Sequence, residues 1–277
     1  MTLSHYLSPD LMAGRGVFVT GGGSGINLGI AKAFASVGAS VSLCGRTAQT
    51  LEAAAENLRG LGARVHTHVA DVRDLTAVEQ AMAAAVADIG RIDTVIAGAA
   101  GNFLAPAESL SSNGFRTVVE IDLVGSFHAA RAGFGQLSRN RGSLLFVSAG
   151  QAYLPFEMQA HVGAAKAGVD SLMRTLALEW GRHGIRVNSI VPGPIQDTEG
   201  MRRLAELVGS ETWTSMSPLG RFGTVDEVGA MAVVLASPLA GYVTGARVDV
   251  DGGISLSGSG TFNRAIREAT AKTTESA

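Results

Sequence analysis

The densest chemistry in the chain is a glycine-rich run, Gly21-Gly22-Gly23-Ser24-Gly25-Ile26-Asn27-Leu28-Gly29. It is entered from Val17-Phe18-Val19-Thr20 and left through Ile30-Ala31-Lys32-Ala33-Phe34. A strand, a glycine turn and a helix in that order are what a dinucleotide site requires. Glycines let the backbone approach a pyrophosphate, and the helix N-terminus supplies amide donors and partial positive charge. The candidate contacts here are Gly21, Gly23, Ser24, Gly25 and Ile26; a flexible loop without a ligand is the competing reading. The next apolar run closes as Leu43-Cys44-Gly45-Arg46-Thr47, with no carboxylate to hold a ribose 2′-hydroxyl. The Arg46 guanidinium instead matches a 2′-phosphate, which favours NADP(H) over NAD(H), unless Arg46 is only a solvated turn residue. Asp71-Val72, after the third apolar run, is placed either to meet an adenine edge or to cap the following helix.

A second group of side chains suits proton and charge handling. Asp122 stands in the apolar helical stretch Val118-Val119-Glu120-Ile121-Asp122-Leu123-Val124. Aspartate is a poor helix-interior residue, and burying its charge without a partner is costly. Lys166 as a partner accounts for it; the alternative is a surface aspartate on the polar side of the helix. Lys166 belongs to a long helical segment. It can donate to the nicotinamide ribose, hold a water or favour a developing anion, unless it is an exposed helix lysine. His161 reads either as a proton-transfer group or as a packed histidine. Tyr153 reads either as a phenol that reaches the pocket or as part of its wall, and Ser148 is a weaker candidate for a serine role. His66 and His68 alternate along a strand, and with Asp71 they form no convincing metal set.

The elements that position these groups follow from the apolar pattern. Runs at Gly16–Thr20, Ser40–Cys44, Arg64–Val69, Thr94–Ala97, Ser143–Val147, Arg186–Ile190 and Arg247–Val250 are continuously Val-, Ile- and Leu-rich, as in strands covered on both faces. Between them Ala31–Val37, Gln49–Leu61, Val78–Ile89 and Ala164–Arg182 carry the helical period. This alternation predicts an α/β chain: a single-domain, Rossmann-type, doubly wound parallel sheet of seven strands with helices on both faces. No linker or internal repeat divides the 277 residues, and a polar tail covers 255–277. Hydrophobic residues at 46% argue against disorder, and a net charge of −2 offers nucleic acid no attraction. No run approaches the roughly 18 apolar residues of a membrane span. The single Cys44, the lack of a secretory pattern at the start, and an end (Thr274-Glu275-Ser276-Ala277) unlike a Ser-Lys-Leu peroxisomal address together predict a cytoplasmic protein.

Thr20-Gly21-x-x-x-Gly25, Ala99-Ala100-Gly101, Lys166 and Pro192-Gly193 together resemble the short-chain dehydrogenase/reductase family. Within it, several segments look like the 2,4-dienoyl-CoA reductases, especially the peroxisomal type. These are Ala99-Ala100-Gly101-Asn102-Phe103, Glu120-Ile121-Asp122, Gln159-Ala160-His161-Val162-Gly163-Ala164-Ala165-Lys166, Pro192-Gly193-Pro194-Ile195, Thr198 to Leu204, Ser237 to Ala240, and Tyr242-Val243-Thr244-Gly245. Val162 takes the place of the wider family's tyrosine, and Asp122 that of its catalytic asparagine. The resemblance therefore implies an Asp122–Lys166 catalytic pair, with Asn102 as a candidate contact for the thioester region. It implies cofactor contacts at Ala99, Ala100, Gly101, Lys166, Pro192, Gly193 and Ile195, an acyl-CoA substrate, and a homotetramer or dimer. The segment Thr198–Gly223, with Met201, Trp213, Met216 and Phe222, reads as a lid over the acyl chain or as ordinary core. Asn27 departs from the family by replacing the glycine that closes the cofactor loop. Ala97 and Gly98 depart by replacing an Asn-rich start to the fourth-strand motif.

Losing the tyrosine agrees with this narrower likeness. A ketone accepting hydride becomes an alkoxide and needs an acid beside the oxygen. In a conjugated dienoyl thioester the hydride enters at the δ carbon, charge spreads to the thioester oxygen, and a proton at the α carbon leaves a 3-enoyl thioester. No phenol is required. The alternatives are another tyrosine-less reductase of a conjugated enone or enoyl thioester, and a catalytically silent NADP(H)-binding protein.

Overall fold

A computed structural model describes residues 7–198, 201–202 and 210–259. Seven strands, β1 (Gly16–Thr20), β2 (Ser40–Gly45), β3 (Val65–Val69), β4 (Thr94–Ala97), β5 (Ser143–Val147), β6 (Arg186–Pro192) and β7 (Arg247–Val250), build one sheet in the order 3-2-1-4-5-6-7. Every pairing is parallel, with Val19 opposite Leu43 on one side and Ile96 on the other. The helices are α1 (Gly25–Ser36), α2 (Ala48–Arg59), α3 (Leu75–Ile89), α4 (Ser112–Val119), α5 (Gly125–Asn140), α6 (Ala160–Trp180), α7 (Ser210–Met216) and α8 (Val225–Ala236).

The continuous apolar character of the inner strands is explained by two separate cores, whereas the edge strands β3 and β7 carry polar residues such as His66, His68, Arg247 and Asp249. Val17, Val19, Leu43, Ile96, Leu145 and Ile190 pack with Phe34 of α1, Leu51 of α2 and Val233 of α8. On the other face Phe18, Val95, Leu144, Phe146 and Val187 pack with Met82 of α3, Leu137 of α5 and Val169 of α6. Adjacent residues of one strand thus serve opposite cores, so the usual polar alternation disappears. The sheet order reverses between β1 and β4. The loops that leave those two strands diverge there and open a crevice at their carboxyl ends.

Several boundaries differ from the sequence reading. Helix α1 begins at Gly25 rather than Ala31, because the glycine turn itself enters the helix. Helix α3 starts at Leu75, capped by the Asp74 carboxylate accepting from the Ala77 N–H at 3.2 Å. Helix α8 carries a complete capping box between Thr224 and Glu227, a sequence signature that the hydrophobic period alone passes over. Residues 255–259 of the expected tail lie in a short 3-10 segment (Ile254–Ser259); the rest lies outside the described residues. Among the described residues no helix is long and apolar enough to cross a membrane.

One buried carboxylate ties the base of the sheet together. Asp93 accepts from the Gly16 N–H at 3.0 Å and from Arg91 Nε at 2.9 Å, and Arg15 stands 3.6 Å away. Both arginines are partly exposed, so the ion pairs are screened, but the Gly16 bond is buried. Asp93→Ala is expected to destabilise the fold by about 2 kcal/mol. That corresponds to roughly 5 °C in thermal melting, and an unchanged melting temperature contradicts the assignment.

Candidate active site

The crevice between the loops after β1 and β4 is walled by Gly21, Gly23, Ser24, Arg46, Asp71, Val72, Ala99 and Ala100. Eight of the expected cofactor contacts therefore converge on one cleft; Gly25 and Ile26 form the first turn of α1 behind it. The starts of α1 and α2 face this cleft without side-chain caps, as the Gln159 start of α6 also stands uncapped elsewhere. Ser24 and Thr47 stand at the N-caps of α1 and α2, yet neither side chain caps its helix. The caps of α3, α4 and α8 are all satisfied, by Asp74, Ser111 and Thr224. Uncapped amide donors and partial positive charge at the cleft suit phosphate groups, so the residues present fit a dinucleotide.

Arg46 makes no hydrogen bond or ion pair among the described residues, which leaves its guanidinium available. Neighbouring Arg73 is committed: it grips Asp71 with both arms, Nε to Oδ1 at 3.0 Å and the terminal nitrogen to Oδ2 at 2.6 Å. The side-chain bonds from Arg73 hold the Asp71 carboxyl below the usual carboxylate range, and the more distant Arg46 charge acts in the same direction. Asp71 does not cap α3, a task that falls to Asp74.

The second centre lies deeper, where the helix carrying Asp122 departs from regularity. Glu120–Val124 forms a turn of π helix between α4 and α5, and such turns concentrate at functional sites. Asp122 is fully buried. Its Oδ1 accepts from the Gly101 N–H at 2.7 Å, and its Oδ2 lies 3.2 Å from Lys166 Nζ. The second contact is an ion pair by distance but lacks hydrogen-bond direction. Lys166 Nζ also donates to the Val147 carbonyl at 3.0 Å, at the end of β5. The ammonium is thereby fixed from two sides with donor capacity remaining. Val162 is buried beside Val118 and Ala165, so the neighbourhood of the pair is apolar.

The remaining candidates take other places. Asn102 is exposed and bonds to neither member of the pair. Gly101 faces Asp122, joining the cleft wall to the pair. Gly193 donates to the Val250 carbonyl at 3.0 Å and Ile195 is buried against Gly223. Pro192, Gly193 and Ile195 therefore sit at and just beyond the carboxyl end of β6, off the cleft wall. Tyr153 donates to Asp249 Oδ1 at 2.9 Å beneath the Arg247 guanidinium, and burial first, then that bond, pushes its phenol up to about 12. It does not stand in for the absent tyrosine. His161 is fully buried against the Phe103 ring at 4.3 Å, and neither ring nitrogen has a partner among the described residues. Ser148 is buried with its hydroxyl unpaired. His66 and His68 turn to Asp88 rather than Asp71, at 3.4 and 3.6 Å. Burial raises the Cys44 thiol to about 12, the behaviour of an inert core residue. Of the expected lid, residues 199–200 and 203–209 lie outside the described residues; the described part includes α7 and the half-exposed Met216.

Thr20 and the Val147 carbonyl were not among the expected site groups. Thr20 Oγ1 accepts from the Gly98 and Ala99 N–H groups at 3.0 and 3.3 Å, which holds the loops after β1 and β4 together. Its place immediately before the first glycine is the signal that points to it. A backbone carbonyl such as that of Val147 leaves no trace in residue types.

Known proteins resemble the chain along most of its length. The chain is 43% identical over 250 residues to a peroxisomal 2,4-dienoyl-CoA reductase, (3E)-enoyl-CoA-producing, of Saccharomyces cerevisiae, covering 89% of this chain and 86% of that protein. It is 42% identical over 255 residues to the peroxisomal 2,4-dienoyl-CoA reductase of Pongo abelii, covering 91% and 87%. A gluconate 5-dehydrogenase from Burkholderia cenocepacia, solved with NADP and tartrate, superposes with a TM-score of 0.83 at 27% identity, covering 89% of this chain and 98% of that one. The relatives overturn the expected cytoplasmic location, because both are peroxisomal proteins. A single buried cysteine reports a reducing environment and does not distinguish one reducing compartment from another. A family model described as enoyl-(acyl carrier protein) reductase matches residues 21–255. With the parallel sheet, the glycine cleft and these relatives, the chain is an oxidoreductase that belongs to the short-chain dehydrogenase/reductase family.

Proposed function

We propose that the protein reduces 2,4-dienoyl-CoA to 3-enoyl-CoA with NADPH, using Asp122 and Lys166 without a tyrosine. The observation that carries this is the buried Asp122–Lys166 pair, at 3.2 Å, beside Val162. It offers a fixed positive charge and no phenolic acid. That is poorly suited to a nascent alkoxide and well suited to an anion spread over a conjugated thioester. The relatives' names carry the same substrate.

Gly21, Gly23, Ser24, Ala99 and Ala100 would hold the dinucleotide, with Arg46 at a 2′-phosphate. When bound there, a reduced nicotinamide would be the source of the hydride that the δ carbon accepts. Lys166 faces the developing charge; its remaining donors would hold the ribose of a bound cofactor and a water, and that water would deliver the α-carbon proton. Asp122 fixes the ammonium and, through the Gly101 N–H, the loop that walls the cofactor cleft. The apolar packing of Val162, Val118 and Ala165 keeps competing water from the pair.

The test is loss of NADPH absorbance with a 2,4-dienoyl-CoA, beside a 2-enoyl-CoA and a 3-ketoacyl-CoA. Rapid oxidation with the dienoyl thioester alone is the expected result, with a 3-enoyl product by chromatography. Equal or faster oxidation with the ketoacyl thioester, or oxidation with none, overturns the reading. The cofactor assignment has its own check. Arg46→Ala is expected to raise the KM for NADPH about 10- to 100-fold, the loss of a charge-assisted phosphate contact, while KM for NADH changes little. Equal effects on both cofactors contradict the 2′-phosphate role.

A further inference from the structure

Asn27 and Gly98 lie 71 residues apart in the chain, and the structure makes them one feature. The Asn27 amide, from the first turns of α1, donates to the Gly98 carbonyl at 2.7 Å. Its body fills the space a side chain at 98 would need: a Cβ on Gly98 would stand 2.2 Å from Asn27 Oδ1 and 2.6 Å from its Cγ. Gly98 is not among the residues with positive φ, so what requires glycine there is space and not backbone conformation. The Gly98 N–H is held at the same time by Thr20 Oγ1 at 3.0 Å. Both backbone polar groups of Gly98 are therefore fixed by the cofactor side of the crevice. Three residues on, the Gly101 N–H meets Asp122 Oδ1 at 2.7 Å.

Asn27 Oδ1 is buried without a partner. An apolar side chain would fill the same volume without leaving an acceptor unmet, so the amide is useful for its donor. We propose that Asn27 is a positioning residue: its amide sets the loop after β4, and through Gly101 the carboxylate of the catalytic pair, with Gly98 as the glycine that this amide demands. The link to turnover rests on the reading of Asp122 as catalytic; the coupling of Asn27 with Gly98 does not.

The test is a cycle of G98A, N27G and N27G/G98A, read by fluorescence titration with NADPH and NADH, by melting temperature, and by kcat with a 2,4-dienoyl-CoA at saturating NADPH. In G98A the new methyl drives the amide out of place, and binding of the preferred cofactor weakens about tenfold or more. Removing the amide frees the space, so N27G/G98A binds at least about threefold tighter than G98A. N27G alone lowers kcat about tenfold while its melting temperature stays within a few degrees of wild type, a split that a purely structural residue would not give. A double variant no tighter than G98A overturns the coupling, and wild-type kcat in N27G overturns the positioning role. If G98A fails to fold, folding of the double variant supports the coupling and its failure overturns it. Should the wild type not turn over dienoyl-CoA, the binding arm still decides the coupling, so that result counts against the substrate reading alone.

Discussion

Lys166→Ala is expected to lower kcat with a 2,4-dienoyl-CoA by about 10³-fold or more, the largest effect of any single substitution in the chain. The ammonium stands 3.2 Å from Asp122 Oδ2 and 3.0 Å from the Val147 carbonyl, nearly fully buried. A charge held this way does not have to reorganise when charge develops on the substrate, and it acts where water screens it little. Alanine removes that charge and leaves the Asp122 carboxylate buried with the Gly101 N–H as its remaining partner. Stability therefore falls too, and turnover must be expressed per molecule able to bind NADPH. Lys166→Met keeps most of the volume and separates packing from charge. It is expected to match alanine in kcat while melting closer to wild type. More than about a tenth of wild-type turnover in either variant removes Lys166 from the reaction.

Much of this arrangement is legible in residue order, for a definite reason. The inner strands of a parallel sheet covered on both faces demand apolar residues at nearly every position, as in Val17-Phe18-Val19 serving two cores, and such runs stand out. The glycine turn is equally visible, because close backbone approach admits few residue types. Helix α8 was hidden by its own burial: Val228, Ala232, Val233, Leu235 and Ala236 leave little polar face to mark a period, although Thr224 and Glu227 announce its start. The π turn at Glu120–Val124 has no residue signature, so an aspartate in an apolar stretch could be flagged but not placed. Asn27 and Gly98 each read as a departure, since nothing in a linear sequence shows that one occupies the other's space. The exposed Asn102 shows the converse limit. A motif position transfers a residue type readily, and its contacts less so.

The second large effect falls on Asp122, where two substitutions divide its two bonds. Asp122→Ala removes the acceptor of the Gly101 N–H and the counter-charge of Lys166 together. It is expected to lower kcat about 10²-fold and, by stranding a buried ammonium, to destabilise the fold by about 3 kcal/mol. Asp122→Asn presents an amide oxygen to Gly101 at the same reach but gives up the charge. Stability recovers only the share that belongs to the Gly101 bond, because the ammonium still lacks its counter-charge, and kcat settles about tenfold below wild type. The ordering of wild type above Asn above Ala in kcat is what distinguishes a carboxylate that orients the lysine from one that only packs. If the two variants lose kcat equally, the charge rather than the Gly101 bond carries the effect. Full activity in Asp122→Ala, measured on protein that still binds NADPH, would mean that the carboxylate has no part in the reaction and that Lys166 acts alone.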